Sequence, residues 1–501
     1  MGQPNRSFPR HLRTPHRPIQ IMLNEQTTKG TSRGKKFVKD LGIYAIGNLG
    51  SKLITFLLVP FYTHYITSTT DYGIYELAMT ISFCFIPLLC FQMNDGGFRF
   101  LIETDDADRH RAIISFIART LLINTTLIIL LSVATSIIHP IRFLPYIVAY
   151  GISQTIYEVC IQLARGLKHT KLFVAAGLLN ASLTAILSVI LLAGLGMGIE
   201  GIFISAISAK VITLAFIDRK LDLSGKYIRM RHIDKTLSKE LLKYSLPLIP
   251  VALCWWMISA NNQFFIEHYL GLTDTGYYGL ANRFSGILYI LCVIFYQTWQ
   301  QNAIEQYHSP NRDAFFSGIF NAYLYLLCIL VTIIPFAIRL NYGWLVGAEY
   351  QESSRYLYVN CFYVMSFALS AFFEIGYQCA KRTAKILPSL LMTLGISVLF
   401  NYLLIRRLGV DGVIYSSIIS YVALLIYRAV DTKKYIAISF SKKSLIPLSI
   451  TIAGCVYYNY SPTPVADIAG CIILTGLLLI FIPQQAKKIL FSRLRRGSRQ
   501  A

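Results

Sequence analysis

The sequence predicts an all-α polytopic membrane protein of about fourteen transmembrane helices, and three observations carry that prediction. Of 501 residues, 54% are hydrophobic and only 14% are charged, whereas a soluble chain carries about a quarter charged residues. The apolar residues gather into runs of bilayer length, about 17–25 residues each. The basic residues, in turn, fall almost wholly on one side of a map drawn from those runs.

Apolar runs set against charged or Gly/Pro-marked gaps give spans at 41–66, 73–93, 112–138, 143–164, 172–195, 200–217, 244–269, 276–302, 315–338, 356–379, 385–405, 411–430, 444–460 and 464–482. With the N-terminus in the cytoplasm, only Arg142, Arg339, Arg355, Arg406 and Arg407 of the 47 Lys and Arg residues fall in outward loops. Lys52, Arg119, Lys210, Arg283 and Arg428 lie within spans, Lys385 is the cytoplasmic edge residue of one, and the rest are cytoplasmic. One missed or surplus helix would invert every later loop, so this bias supports the whole map and places both termini in the cytoplasm. It also accounts for the net charge of +22 without nucleic acid as a partner.

Residues 1–36 are basic and interrupted by Pro4, Pro9, Pro15 and Pro18; a disordered cytoplasmic tail is expected there. They lack the apolar core and cleavage site of a signal peptide, so the first span is expected to act as an uncleaved anchor. The ten cysteines all lie in apolar runs and never as Cys-x-x-Cys. They read as small buried apolar residues, not as a disulfide framework or a metal site.

An internal repeat divides the chain. Asp71-Tyr72-Gly73-Ile74-Tyr75-Glu76-Leu77-Ala78 leads into span 2, and Asp274-Thr275-Gly276-Tyr277-Tyr278-Gly279-Leu280-Ala281 leads into span 8. At nearly the same offset, Gly198-Ile199-Glu200-Gly201-Ile202 opens span 6 and Gly409-Val410-Asp411-Gly412-Val413 opens span 12. Spans 1–6 therefore correspond to spans 7–12. Six is even, so the halves enter the membrane in the same sense, as in transporters built from parallel repeats that rock about a shared site. The expected organisation is an N-lobe at 37–217, an inter-lobe loop at 218–243, a C-lobe at 244–435, two further helices at 436–483 and a basic tail at 484–501.

Gly42-Ile43-Tyr44-Ala45-Ile46-Gly47-Asn48-Leu49-Gly50-Ser51-Lys52, with Val59-Pro60-Phe61-Tyr62-Thr63 and Asp71-Tyr72-Gly73, resembles the opening of polysaccharide flippases. These are the O-antigen (Wzx-type) members of the multidrug/oligosaccharidyl-lipid/polysaccharide exporter superfamily. Asp95-Gly96-Gly97-Phe98-Arg99-Phe100, Ala281-Asn282-Arg283-Phe284 and Phe295-Tyr296-Gln297-Thr298-Trp299 extend the likeness, which runs from about residue 37 to 480. The resemblance implies a V-shaped, MATE-like fold of two six-helix lobes, often with two extra helices. It also implies transfer of an undecaprenyl-pyrophosphate-linked oligosaccharide from the cytoplasmic to the periplasmic leaflet of a bacterial inner membrane. The partners implied are that lipid-linked glycan, membrane lipids and the polysaccharide polymerase machinery, with no nucleic acid and no cofactor.

Ionisable groups inside spans are costly and are functional candidates by default. Lys52 and Arg283, one from each half, are expected to hold the pyrophosphate, Arg283 as a bidentate fork and Lys52 as a point charge; a structural pair such as Lys52 with Glu374 is the competing reading. Arg119 and Lys210 are further candidates, while Arg428 reads as interfacial. Arg99 and Asp95, flanking Gly96 and Gly97, could meet arriving substrate or pair with each other. Gln297 and Trp299, beside Tyr296, have the aromatic and amide texture of a glycan site, or of an interfacial aromatic belt. Glu158, Glu374 and Asp95 are candidates for ion coupling, and the sequence is equally compatible with a proton, a sodium ion or none.

Competing functions are a proton- or sodium-coupled multidrug exporter and a lipid II flippase of the same superfamily. The first needs a carboxylate where span 1 offers Lys52. A membrane glycan polymerase or ligase is less favoured, because no paired-carboxylate, Ser/His or metal-ligand motif stands out.

Overall fold

The computed structural model describes residues 50–480 apart from 141–142, 230–233, 381, 442–443 and 462. The terminal tails expected at 1–36 and 484–501 lie outside the described residues, as does the start of the first span. What is described is nearly all helix. Backbone groups in lipid have no water to bond, so long apolar runs satisfy themselves internally.

The N-lobe comprises α1 (residues 50–65), α2 (Thr69–Cys90), α3 (Met93–Ile102), α4 (Ala107–Ile138), α5 (Leu144–Gly166), α6 (Thr170–Ser188) and α7 (Gly198–Leu221). Next come α8 (Lys235–Ser245), α9 (Leu248–Leu270), α10 (Leu272–Gln306), α11 (Arg312–Leu340) and the single turn α12 (Tyr342–Leu345). The C-lobe closes with α13 (Leu357–Cys379) and α14 (Ile386–Thr432), and α15 (Leu445–Tyr460) and α16 (Pro464–Ile480) follow. Gly409 (φ 59°, ψ −137°) breaks α14 into the two expected spans. All fourteen predicted spans thus have a helical counterpart among the described residues.

Lipid exposure differs sharply between helices. The most apolar stretch of α4 has 0% of its residues buried, against 78% for the segment ending in α13. Leu122, Leu127, Leu130 and Ile137 of α4 stand exposed, which suits a helix bathed in lipid and no aqueous surface. α13 is the centre of the C-lobe.

Several elements depart from the sequence map. Pro87 lies inside an unbroken α2. The chain breaks after it, at Phe91 and Gln92, both left-handed (φ 49° and 58°), so Asp95–Phe100 sits in a separate helix, α3. The inter-lobe segment is mostly folded: α7 runs to Leu221, and the apolar face of α8 places Leu237 and Leu241 in the N-lobe core. The loop expected between spans 9 and 10 holds α12 and a nine-residue 3-10 helix, Ala348–Tyr356, packed against the N-lobe.

α16 is pinned to the C-lobe by charge. Asp467, buried, pairs with Arg339 of α11 at 3.4 Å, and Arg339 also donates to the Tyr458 and Ser461 carbonyls at 2.6 and 3.3 Å.

Candidate functional site

The two lobes meet where the repeat meets itself. Ser68 caps α2, accepting from the Asp71 amide at 3.1 Å, and Gly271 (φ 97°) turns the chain into α10. The repeat-related Gly73 and Gly276 then cross: a Cβ on Gly73 would collide with the Leu272 carbonyl oxygen, and one on Gly276 with that of Thr69. Beside them the repeat-related hydroxyls of Thr70 and Thr273 lie 3.0 Å apart. Glycine is required here by close backbone approach.

One turn further along α2 and two along α10, Arg283 donates to Glu76 in an ion pair between lobes, with side chains 20% and 8% exposed. The Arg283 guanidinium also lies over the Tyr75 ring, 5.0 Å from its centre. A cation–π contact of this kind adds about 0.5–2 kcal/mol. Gly279, the repeat counterpart of Glu76, leaves the room that the Glu76 side chain fills. The segment after α12 covers the same end: buried Tyr350 donates to the carbonyls of Ile66 and Ser68 at 2.7 and 3.2 Å.

The N-lobe holds a polar cavity of about 300 Å³, lined by Lys52 and Thr55 of α1, Glu158 and Gln162 of α5, and Asn180 of α6. Along α5, Arg165 donates to Gln162 and Gln162 to Glu158, each at 3.3 Å. Lys52 forms no ion pair with a described residue.

The C-lobe holds a second cavity, of about 470 Å³, walled mainly by aromatic rings and reaching Glu374. Glu374 is paired at 2.9 Å with Arg428, whose side chain is 0% exposed. Arg428 is therefore not interfacial, as its place near the end of a span suggested. Its remaining donors reach Ser389 Oγ and the Ser370 carbonyl at 3.3–3.4 Å. Among the described residues no three His, Cys, Asp or Glu side chains gather around one metal-sized space.

The predicted residues thus disperse. Lys52 and Glu158 share the N-lobe cavity, Trp299 and Glu374 share the C-lobe cavity, and Arg283 is at the junction. Trp299 is 3% exposed, with one face stacked on Phe372 at 4.4 Å; Gln297 is exposed. Lys210 is buried with its Nζ 4.1 Å from the Tyr150 ring centre. Arg119 is exposed on α4 and lines neither cavity. Arg99 pairs with Glu103 at 3.1 Å, not with Asp95, and lies over Tyr244 of α8. Asp95 accepts instead from Gln92 at 2.9 Å. Glu374 pairs with Arg428 and not with Lys52.

Sequence reading missed Glu76. The signal was present, as a carboxylate in the first repeat where the second has Gly279, four residues before Arg283.

The fold is shared with solved transporters at low identity. The lipid II flippase MurJ, in an inward closed conformation, matches with a TM-score of 0.67 at 13% identity, covering 90% of this chain and 99% of that one. An inward-facing multidrug resistance MATE family transporter of the MOP superfamily matches with a TM-score of 0.60 at 13% identity, covering 78% and 98%. A point mutant of the Vibrio cholerae MATE transporter VcmN gives 0.55 at 12%, covering 81% and 98%. No curated protein sequence matches significantly. The family model described as "Polysaccharide biosynthesis protein" matches residues 37–299, which is more than half of the chain and includes α1, both sides of the lobe junction and most of α10. The chain is a multi-pass membrane protein that belongs to this polysaccharide biosynthesis protein family.

Proposed function

We propose that the protein moves an undecaprenyl-pyrophosphate-linked oligosaccharide from the cytoplasmic to the periplasmic leaflet of a bacterial inner membrane, by rocking its lobes so that the end closed at the Gly73–Gly276 crossing opens. The observation that carries this reading is Lys52, a cation inside the N-lobe in a polar cavity without an ion-pair partner among the described residues. An uncompensated cation at membrane depth is costly, and a pyrophosphate head is the kind of group that offsets the cost. Amides and hydroxyls of Gln162, Asn180 and Thr55 around it can bond phosphate or sugar oxygens. The polyprenyl tail, being apolar, stays in lipid.

With both termini cytoplasmic, as the loop charges argue, the junction end faces the periplasm and is closed. The Glu76–Arg283 pair then acts as a latch. When the lobes part on that side, Glu76 leaves Arg283, whose fork becomes free for the arriving anion. Glu158 lines the same cavity as Lys52, so in this reading it carries a proton or a sodium ion while the anion is bound and gives it up once the anion leaves, its carboxylate then offsetting Lys52. No bond in the glycan is made or broken.

The reading is tested with purified protein in proteoliposomes carrying a fluorescent lipid-linked oligosaccharide. Faster movement between leaflets than in empty liposomes, with the glycan chemically unchanged, supports it. A glycan lengthened or cut during the assay would point to a polymerase or ligase, and movement of cationic drugs alone to an exporter.

A further inference from the structure

The C-lobe cavity has a pattern that the transport cycle above does not use. Three helices each place an aromatic or amide group and a second polar group two turns apart on one face, at i and i+7. These are Asn282, Tyr289 and Tyr296 of α10, Phe367 and Glu374 of α13, and Tyr421 and Arg428 of α14. Phe367 is the hub: Trp255, Tyr289 and Tyr421 surround it with ring centres at 5.9, 5.6 and 5.5 Å. Asn282, Ser259 and Tyr289 are exposed and line the cavity, so its mouth offers an amide, a hydroxyl and a ring. At the far end Tyr296 donates to Glu374 at 3.4 Å and accepts from Gln378 at 3.0 Å. The volume, about 470 Å³, lies within the range of about 300–1,000 Å³ usual for small-ligand sites.

An aromatic cage that ends in a carboxylate ordinarily suits an organic cation. Here that carboxylate is already matched. Arg428 holds Glu374 at 2.9 Å, is itself wholly buried, and is braced by Ser389 and the Ser370 carbonyl. The pair carries no net charge, and what remains is ring faces with fixed donors and acceptors, the chemistry that suits the apolar face and hydroxyl edge of a sugar.

We propose that the C-lobe cavity is a binding site for a neutral sugar unit of the transported glycan, and that Arg428 determines its selectivity by neutralising Glu374 and so excluding organic cations. This rests on the transport reading above for the identity of the ligand. The selectivity role of Arg428 stands on the cavity's geometry alone.

The test uses the full chain in nanodiscs, with ethidium as the cationic probe and methyl glycosides of common hexoses and N-acetylhexosamines as the sugar probes. Arg428→Met should bind ethidium about tenfold tighter than the parent or better, because Glu374 is left unpaired in an aromatic cage. The double variant Arg428→Met/Glu374→Gln, neutral again, should return to the parent's weak binding. Saturable tryptophan quenching by at least one glycoside should occur in the parent and weaken severalfold in Tyr289→Ala, an exposed position whose loss spares the core. No gain of ethidium binding in a folded Arg428→Met protein, or a gain that persists in the double variant, would overturn the selectivity role. Should Arg428→Met fail to fold, the sugar arm decides: quenching absent, or indifferent to Tyr289→Ala, overturns the proposal. Leaflet movement by the parent, measured alongside, reports on transport separately, so a moving glycan with an unresponsive cavity would sink this site alone.

Discussion

Glu76 of α2 and Arg283 of α10 form an ion pair that joins the two halves of an internal repeat, one turn along α2 and two along α10 from the point where the repeat-related Gly73 and Gly276 cross. The pair is possible because position 279, the counterpart of Glu76, is glycine. An asymmetry between two nearly symmetric segments therefore supplies a charged contact at this junction, and it gives the lobes a bond that can be made and broken.

Removing one member should hurt more than removing both. Glu76→Gln leaves Arg283 largely buried beside a neutral partner; for fully buried pairs such a change costs about 3–5 kcal/mol, and the partial exposure of Arg283 should reduce this to about 2 kcal/mol. Glu76→Gln/Arg283→Gln should recover part of that loss. Thermal unfolding in detergent, followed by fluorescence, reads the difference; equal losses in the single and double variants would show that the charges are not coupled.

The glycine crossing predicts a geometric effect. Gly73→Ala or Gly276→Ala drives a methyl group into a backbone carbonyl of the other lobe, and backbone cannot rotate away as a flexible side chain can. Both variants should fold yet fail to close this end, and increased maleimide labelling of a cysteine placed at Thr70 would show it. Labelling at the parental rate would mean that the lobes close without the crossing.

Because the Thr70 and Thr273 hydroxyls lie 3.0 Å apart, Thr70→Cys/Thr273→Cys should cross-link under mild oxidation. The lock should stop glycan movement, and reduction should restore it. Continued movement by the cross-linked protein would remove opening at this junction from the mechanism.

Asp467→Asn tests the attachment of α16. The change removes the charge partner of Arg339 and should cost about 1–3 kcal/mol. It should lower the unfolding temperature while leaving most transport activity, since α15 and α16 line neither cavity. Transport lost in a protein of unchanged stability would place α16 in the pathway instead.

Much of the fold was legible in the residues, and what was hidden was hidden for physical reasons. Fourteen spans were readable because lipid demands about twenty apolar residues per crossing, and the repeat because Asp-x-Gly recurs at the same place in each half. The break after α2 was not: Phe91 and Gln92 adopt left-handed backbone with no glycine to announce it. Arg428 looked interfacial because distance along a helix says nothing of what packs over it, and it is wholly buried against Glu374 of α13. Lys52 was singled out as lying inside the N-lobe, where it lines the polar cavity. That Arg283 pairs with Glu76 was signalled only by a carboxylate standing where the second repeat has Gly279, an asymmetry that is easily passed over in a pair of matching segments.

The central claim is that an anionic lipid-linked glycan crosses the membrane by way of Lys52. Leaflet movement of a fluorescent undecaprenyl-pyrophosphate oligosaccharide in proteoliposomes tests it, comparing the parent with Lys52→Ala and Lys52→Arg at matched reconstitution. The account predicts movement by the parent, a loss of about tenfold or more in Lys52→Ala, equivalent to about 1.4 kcal/mol of lost interaction, and partial retention in Lys52→Arg. Movement by Lys52→Ala at the parental rate would contradict it.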